Sequence, residues 1–196
     1  MKKIGILSSH NGSGYVTLDD ACKEKKLKAE IAIVISNNSD AHVLKIAEDR
    51  NTPNFVINKN LFPNDNLDEK ITKLLVEYKC DYIFLSGYMK KLESVLIKTF
   101  ENKIINSHPA LLPKFGGKGM YGRFVHEAVI DANEKKSGVT IHFVNEEYDE
   151  GDFILQNTID IEDGCSVELL EQDIKKLEST SIVEAFKKLI YIKKGK

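Results

Sequence analysis

The sequence lacks paired cysteines, long apolar runs and an excess of charge of one sign. Its 196 residues include three cysteines, Cys22, Cys80 and Cys165, which stand far apart and form no Cys-x-x-Cys or Cys/His pattern. This spacing argues against a disulfide framework and a structural zinc site, and it indicates a reducing cytoplasm. No apolar run approaches the length of a membrane span, so we expect no membrane association.

The charges are nearly balanced, with 28 basic and 30 acidic side chains and a net charge of −2. Nucleic acid is therefore not a favoured partner. The apolar run after Lys2 and Lys3 is too short for a signal peptide. The length suits one domain, which we place at 1–190, followed by a basic tail at 191–196 that resembles a solvated helix end.

Strand-like and helix-like segments alternate along the chain. The predicted strands cover 4–7, 31–35, 54–57, 82–85, 103–106, 139–144 and 153–161. The predicted helices lie near 15–25, 41–50, 66–79, 92–100, 123–133 and from Ser166 onward, with 37–40 as a turn and helix cap. This order predicts an α/β fold with a doubly wound, mostly parallel sheet and helices on both faces.

Polar clusters follow the first, fourth and fifth predicted strands, at 8–14, 86–91 and 106–119. Ligands of such sheets gather at the carboxyl ends of the strands. In the first cluster, Gly12-Ser13-Gly14 allows a tight turn into a helix amino terminus, which suits a phosphate. The cluster is neither a full dinucleotide fingerprint nor a Walker motif, and an ordinary strand–helix turn explains it equally well.

The third cluster opens with Asn106-Ser107-His108-Pro109. Side chains alternate along a strand and Pro109 favours an extended His108, so Asn106 and His108 can point to one side. An amide and an imidazole together suit a developing oxyanion. A structural histidine remains an alternative for this pattern.

Five carboxylates lie within 146–152, and the pattern distinguishes none of them, so a solvated acidic loop is the simpler interpretation. One carboxylate that reached His108 would raise the pKa of that imidazole and could accept a proton from an attacking amine. The segment 116–119 lacks the Ser or Thr of a phosphate loop, and His126 lacks the second histidine of a zincin helix. We therefore expect no metal.

Three segments together resemble the phosphoribosylglycinamide formyltransferase family. They are the loop Asn11-Gly12-Ser13-Gly14, the run from Asn106 to Phe115 with its Asn-x-His-Pro-x-Leu-Leu-Pro pattern, and 138–156 with Tyr148-Asp149-Glu150-Gly151. The resemblance spans about residues 2 to 190. It implies a Rossmann-like formyltransferase fold and transfer of the formyl group of 10-formyltetrahydrofolate to the amine of 5-phosphoribosyl-glycinamide, in de novo purine biosynthesis.

The resemblance also implies roles for individual residues. Asn106, His108 and Asp149 match the catalytic positions, with Asp149 keeping His108 protonated. The residues matching the phosphoribosyl-glycinamide site are Gly12, Ser13, Gly14 and Glu178. Those matching the folate site are Asn64, Met89, Lys90, Lys91, Leu92 and Asn106, with 145–149 covering the pterin. Gly14 replaces a common Asn, Asn64 replaces a common Arg, and Arg123 has no assigned role.

Other functions remain open at this stage. A formyl-folate hydrolase would keep the same three residues, but such enzymes carry an added domain before the first strand. Formyl transfer to aminoacyl-tRNA would need a basic second domain, and transfer to an amino sugar is a further possibility. A non-catalytic nucleotide-binding module would not need Asn106, His108 and Asp149 to converge. We expect a monomer or a homodimer.

Overall fold

The computed structural model of the chain describes residues 1–191. The chain forms two compact units, Met1–Ile105 and the part from Asn106 onward. The sequence-based tail at 191–196 lies outside the described residues except for Tyr191. Within the described part, no helix is both long enough and apolar enough to cross a membrane.

The first unit alternates strands and helices. Its elements are β1 (Lys2–Ser8), α1 (Ser13–Lys23), β2 (Ala29–Ser36), α2 (His42–Asp49), β3 (Asn54–Val56), α3 (Leu67–Glu77), β4 (Tyr82–Leu85) and α4 (Ser94–Thr99). Parallel pairs form between β1 and β2, β1 and β4, and β2 and β3. Most aliphatic side chains of β1 and of the second half of β2 are buried, because helices cover a parallel sheet of this kind.

The second unit contains the strands that carry most of the chemistry. Its elements are β5 (Ile104–His108), which begins just before the unit, α5 (Arg123–Asp131), β6 (Lys136–Phe143), β7 (Phe153–Asp160) and α6 (Val167–Tyr191). Strands β6 and β7 pair antiparallel. Helix α6 buries Leu170, Ile174, Ile182 and Phe186, which recur at helical spacing.

The strand order of the sheet is β3-β2-β1-β4-β5-β6-β7. The predicted mostly parallel α/β sheet is therefore confirmed, with bounds that shift by a few residues. Strand β1 has β2 on one side and β4 on the other, so the strand order reverses there. A crevice at the carboxyl ends of β1 and β4 follows from this reversal, and the predicted loops 8–14 and 86–91 lie at it.

One local prediction is wrong. Residues 37–40 form the expected turn, in which Asn38 Oδ1 accepts from the backbone N–H of Asp40 at 3.1 Å. They do not cap the following helix, because α2 begins one residue later and its N-cap is Ala41, whose methyl group cannot accept a hydrogen bond.

The pairing of β6 with β7 depends on the absence of a side chain at Gly138. A Cβ on Gly138 would lie 2.1 Å from the carbonyl oxygen of Asn157 and 2.5 Å from a methyl group of Leu111. The backbone oxygen belongs to a paired strand and cannot move away cheaply. Only glycine allows this close approach.

We expect Gly138→Ala to lower the free energy of unfolding by about 2 kcal/mol or more, as overpacking does elsewhere. Urea denaturation measures the loss. Ser137→Ala is the matched control, because Ser137 is buried and its hydroxyl has no hydrogen-bond partner among the described residues. That control should change stability by less than about 1 kcal/mol. Equal stability of Gly138→Ala and the wild type would contradict this account of the strand pair.

Candidate active site

Strand β5 carries the first two residues of the site. It continues to His108, so Asn106 and His108 stand two residues apart on one extended strand and face the same side. The extension predicted from Pro109 is confirmed. His108 is 3% exposed, and Asn106 is half-buried.

The loop after β5 is held by two side chains of the β6–β7 hairpin. Thr140 Oγ1 donates to the carbonyl of Ala110 at 2.7 Å and accepts from the backbone N–H of Leu112 at 3.1 Å. Gln156 Nε2 donates to the carbonyl of Leu112 at 3.0 Å. These contacts fix where the loop leaves the strand and hence where His108 is held.

Asp149 is the one acidic residue of 146–152 whose side chain turns inward. Its side chain is 12% exposed, whereas Glu146, Glu147, Glu150 and Asp152 are exposed. Its backbone adopts φ of 58°, an uncommon left-handed conformation for an aspartate. The backbone N–H of Gly117 donates to Asp149 Oδ2 at 2.9 Å.

The Asp149 carboxylate lies between two imidazoles. Its Oδ2 is 3.6 Å from His108 Nδ1, and its Oδ1 is 3.6 Å from His142 Nε2. These separations are within ion-pair range and longer than a hydrogen bond. His142 Nε2 is also 3.3 Å from Asn106 Nδ2. Asn106, His142, Asp149 and His108 therefore form one continuous cluster, as we expected for three of them.

Sequence reasoning missed His142. This residue is 2% exposed and lies near the end of β6, directly before the acidic loop. The available signal was an imidazole in the mostly apolar stretch Val139 to Phe143, because a buried imidazole needs a hydrogen-bond partner.

The hydrogen bonds assign the protons of the two rings. His142 Nδ1 lies 2.8 Å from the carbonyl of Phe143, and His108 Nε2 lies 2.7 Å from the carbonyl of Phe115. A carbonyl only accepts, so both of these nitrogens carry protons. In neutral His142, Nε2 then accepts one N–H of the Asn106 amide, and the second N–H of that amide is left for another acceptor.

Burial and charge act in opposite directions on the pKa of His108. Burial lowers the pKa of this imidazole by more than the charge of Asp149 and the Phe115 carbonyl raise it, so it lies below its ordinary value. Asp149 therefore does not keep the pKa of His108 above its ordinary value in this structure. It offsets only part of the cost of burial.

Asp149 itself stays ionised. Burial raises the pKa of its carboxyl group, but His142, His108 and the Gly117 N–H together lower it further, and the net pKa is below the ordinary value. An ionised carboxylate beside two imidazoles can accept a proton near neutral pH.

Glu178 takes part in a separate contact. Ser107 lies between Asn106 and His108, so its side chain points to the other face of β5. Its hydroxyl donates to Glu178 Oε1 at 2.6 Å. Burial raises the pKa of Glu178. The structure thus brings Glu178 to the strand that carries the site, but on the side opposite to Asn106 and His108.

In the first unit, Gly12-Ser13-Gly14 forms the amino terminus of α1. Gly12 is the N-cap with φ of 65°, and a Cβ there would lie 2.3 Å from a methyl group of Val43. Ser8 Oγ, fully buried beside this turn, has no hydrogen-bond partner among the described residues. A Cβ on Gly14 would meet the Phe84 ring at 2.5 Å, which explains the absence of a larger residue at this position.

The predicted folate residues Met89–Leu92 lie between β4 and α4. Met89, Lys90 and Lys91 are exposed, and Leu92 is 6% exposed. A polar cavity of about 450 Å³ in the first unit is lined in part by Met89 and Lys90, together with Ser9, His10 and Asn37. Asn64 is exposed in the turn before α3.

The last two predictions concern Arg123 and metal binding. Arg123 forms ion pairs with Glu127 and Glu168 on the surface. No group of three or more His, Cys, Asp or Glu side chains in residues 1–191 is placed to hold a metal ion.

The position of Asp149 between the rings generates a prediction. Asp149→Asn should lower the pKa of His108 further, because it removes the negative charge that favours the imidazolium form. The measurement is an NMR titration of the His108 Cε1–H signal. Glu147→Gln removes an exposed carboxylate of the same loop and should leave that titration unchanged. An unchanged His108 titration in Asp149→Asn would mean that the carboxylate has no effect on the ring.

Comparisons with known proteins agree with this geometry. The formyl transferase family model matches residues 2–186. Phosphoribosylglycinamide formyltransferase of Haemophilus influenzae is 39% identical over 179 residues, which cover 91% of this chain and 82% of the relative. The chloroplastic enzyme of that name from Arabidopsis thaliana is 36% identical over 160 residues, 81% of this chain. The match spans 55% of the Arabidopsis protein's length.

Solved structures show the same fold. Glycinamide ribonucleotide transformylase 1 from Geobacillus kaustophilus superimposes with a TM-score of 0.89 at 30% identity, covering 97% of this chain and 99% of that structure. The predicted Rossmann-like formyltransferase fold is confirmed. The chain belongs to the phosphoribosylglycinamide formyltransferase family.

Proposed function

We propose that this protein transfers the formyl group of 10-formyltetrahydrofolate to the amine of 5-phosphoribosyl-glycinamide, in de novo purine biosynthesis. The observation that carries the proposal is the cluster of Asn106, His142, Asp149 and His108 at the end of β5. It combines hydrogen-bond donors for an oxyanion with an ionised carboxylate. The relatives bearing the phosphoribosylglycinamide formyltransferase name support the choice of substrates.

In the proposed reaction the amine nitrogen attacks the formyl carbon, and the formyl oxygen becomes an oxyanion. Asn106 donates its remaining amide N–H to that oxygen, and His108 supplies a second donor. Both lie on one face of β5, so two donors converge without any movement of the strand. Preorganised donors of this kind lower the barrier because no reorientation is needed during the reaction.

The proton balance of the reaction involves Asp149. The attacking amine loses a proton as the carbon–nitrogen bond forms, and the departing folate nitrogen gains one as its bond to the formyl carbon breaks. Asp149 is ionised and next to both imidazoles, so it can take up the first proton directly or through a ring. No covalent enzyme intermediate is needed.

In this structure His108 Nε2 donates its hydrogen bond to the carbonyl of Phe115, which therefore lies where the oxyanion would bind. An oxyanion that is bound at this nitrogen must take the place of that carbonyl, so formyl transfer requires the segment around Phe115 to move. Phe115 adopts φ of 57°, an uncommon conformation for a large side chain, which a shift of the loop would release. The low pKa of His108 suits this exchange, since the developing oxyanion restores the ring's affinity for a proton.

The remaining assignments belong to the same proposal. The amino terminus of α1 at Gly12-Ser13-Gly14 binds the phosphate through backbone N–H groups. Glu178 binds the ribose hydroxyls, and it must share or release its bond with Ser107 to do so. Asn64 and Met89–Leu92 bind the folate, and 145–149 covers the pterin. The three free thiols support a reducing cytoplasm, and the oligomeric state is monomer or homodimer.

An assay with and without the amine substrate tests this proposal. Purified protein should release folate from a 10-formyl folate analogue only when 5-phosphoribosyl-glycinamide is present, because the amine is the nucleophile. Spectrophotometry follows the release. Equal release without the amine would show a formyl-folate hydrolase instead, and no release in either case would reject both enzymes.

His108→Ala should lower kcat by about 100-fold or more, the usual cost of removing one oxyanion donor. Steady-state kinetics with both substrates saturating measures the loss. His42→Ala is the matched control, since His42 is exposed at the start of α2. Near-normal turnover of His108→Ala would remove this residue from the mechanism.

A further inference from the structure

The segment 88–93, which contains the proposed folate residues Met89–Leu92, has no regular secondary structure. Side chains from elsewhere in the first unit fix it near both ends. At its beginning, the backbone N–H of Met89 donates to Ser9 Oγ at 2.8 Å. At its end, the backbone N–H of Glu93 donates to Asp68 Oδ2 at 2.6 Å. The two anchors position Met89 and the three residues that follow it, Lys90 to Leu92.

Asp68 is an unusual anchor because its carboxylate is buried. The residue lies in the first turn of α3 and is 7% exposed. A buried carboxylate is costly unless hydrogen bonds and nearby positive charge offset the loss of water. The helix amino terminus and the Glu93 N–H provide that compensation. Burial nevertheless raises the pKa of Asp68, so the compensation is incomplete.

The same turn of α3 also holds the side chain of Glu93. Asn66 is the N-cap of the helix, and its Oδ1 accepts from the backbone N–H of Glu69 at 2.9 Å. Its Nδ2 donates to Glu93 Oε2 at 2.9 Å. Asp68 and Asn66 therefore fix Glu93 through its backbone and its side chain. At the other end of the segment, burial raises the pKa of the Tyr88 phenol, and the negative charge of Asp68 raises it further.

We propose that Asp68 is a positioning residue for the formyl donor: it fixes the carboxyl end of 88–93, so that Met89–Leu92 are held in the conformation that binds folate. The proposal rests on the function proposed above and adds a residue that does not itself touch the ligand. Without the bond to Asp68, the backbone at the carboxyl end of the segment loses its anchor, and only the bond from Asn66 to the Glu93 side chain still holds that end. A misplacement of about 1 Å in the groups that position a substrate can lower the rate of a reaction about 100-fold.

Asp68→Ala tests this role, with initial rates measured while each substrate is varied in turn. The KM for the formyl donor should rise about tenfold, the usual scale for loss of a hydrogen bond to a charged group, while the KM for the amine substrate stays within about twofold. Asp68→Asn should give a smaller rise, because its amide oxygen still accepts from Glu93. Glu69→Ala is the matched control, since it removes an exposed carboxylate from the same turn and should change neither KM.

A purely structural role would give a different pattern. Equal increases in both KM values, or a lower melting temperature with unchanged KM values, would overturn the proposal. If Asp68→Ala fails to fold, Asp68→Asn decides: a selective rise in the KM for the formyl donor supports positioning, and no rise rejects it.

Binding without turnover separates this proposal from the enzymatic one. Isothermal titration of a 10-formyl folate analogue, with no amine present, should show weaker binding to Asp68→Ala than to the wild type. If Asp68→Ala binds the analogue more weakly but the wild type shows no turnover, the proposed formyl transfer is rejected and the positioning role of Asp68 is retained. Normal wild-type turnover with equal binding by both proteins would reject only Asp68. A wild type that does not bind the analogue would reject both.

Discussion

The candidate active site depends on one half-buried carboxylate. Asp149 lies between the imidazoles of His108 and His142 and accepts the N–H of Gly117. Removing a carboxylate from water is costly, and these three groups offset the cost. In return, the carboxylate fixes both rings and ties the acidic loop to the strands. The chemistry of Asn106 also depends on it, because His142 orients that amide.

Burial sets the protonation of this cluster. It lowers the pKa of His108 although Asp149 lies beside the ring, and it works against the ionised form of Asp149, which the two histidines and a backbone N–H maintain. A neutral imidazole next to an ionised carboxylate is poised to take up a proton when negative charge develops nearby. In this structure the Phe115 carbonyl accepts the hydrogen bond of His108 Nε2.

The first unit uses a related principle for the two loops that we propose bind the substrates. The loop after β1 and the segment after β4 lie at the crevice where the strand order reverses, and Ser9 of the first bonds to Met89 of the second. Asp68 then holds the far end of that segment from α3. Polar side chains from the loop after β1 and from α3 thereby hold a segment that has no regular secondary structure of its own. The proposed binding surface keeps a fixed conformation in this way.

Much of this could be predicted from local sequence. Short aliphatic runs alternate with amphipathic stretches, and that order predicted every strand and helix of the described chain to within a few residues. The shared face of Asn106 and His108 followed from strand alternation and Pro109. The N-cap of α2 did not follow, because several capping residues precede Ala41 and only the backbone shows which residue begins the helix.

The sequence alone determined the alternating fold class and the pair of donors at the end of β5, since both depend on neighbours along the chain. The residue pattern left five carboxylates equivalent, and the family resemblance selected Asp149 among them. Tertiary structure decided that the Asp149 side chain turns inward, that His142 joins the cluster, and that burial outweighs Asp149 at His108. The Asp149 side chain points inward because its loop folds back so that the Gly117 N–H donates to it. The pKa of His108 depends on all of the atoms that surround the ring. Distances between residues far apart in sequence control these properties, and local pattern carries no information about such distances.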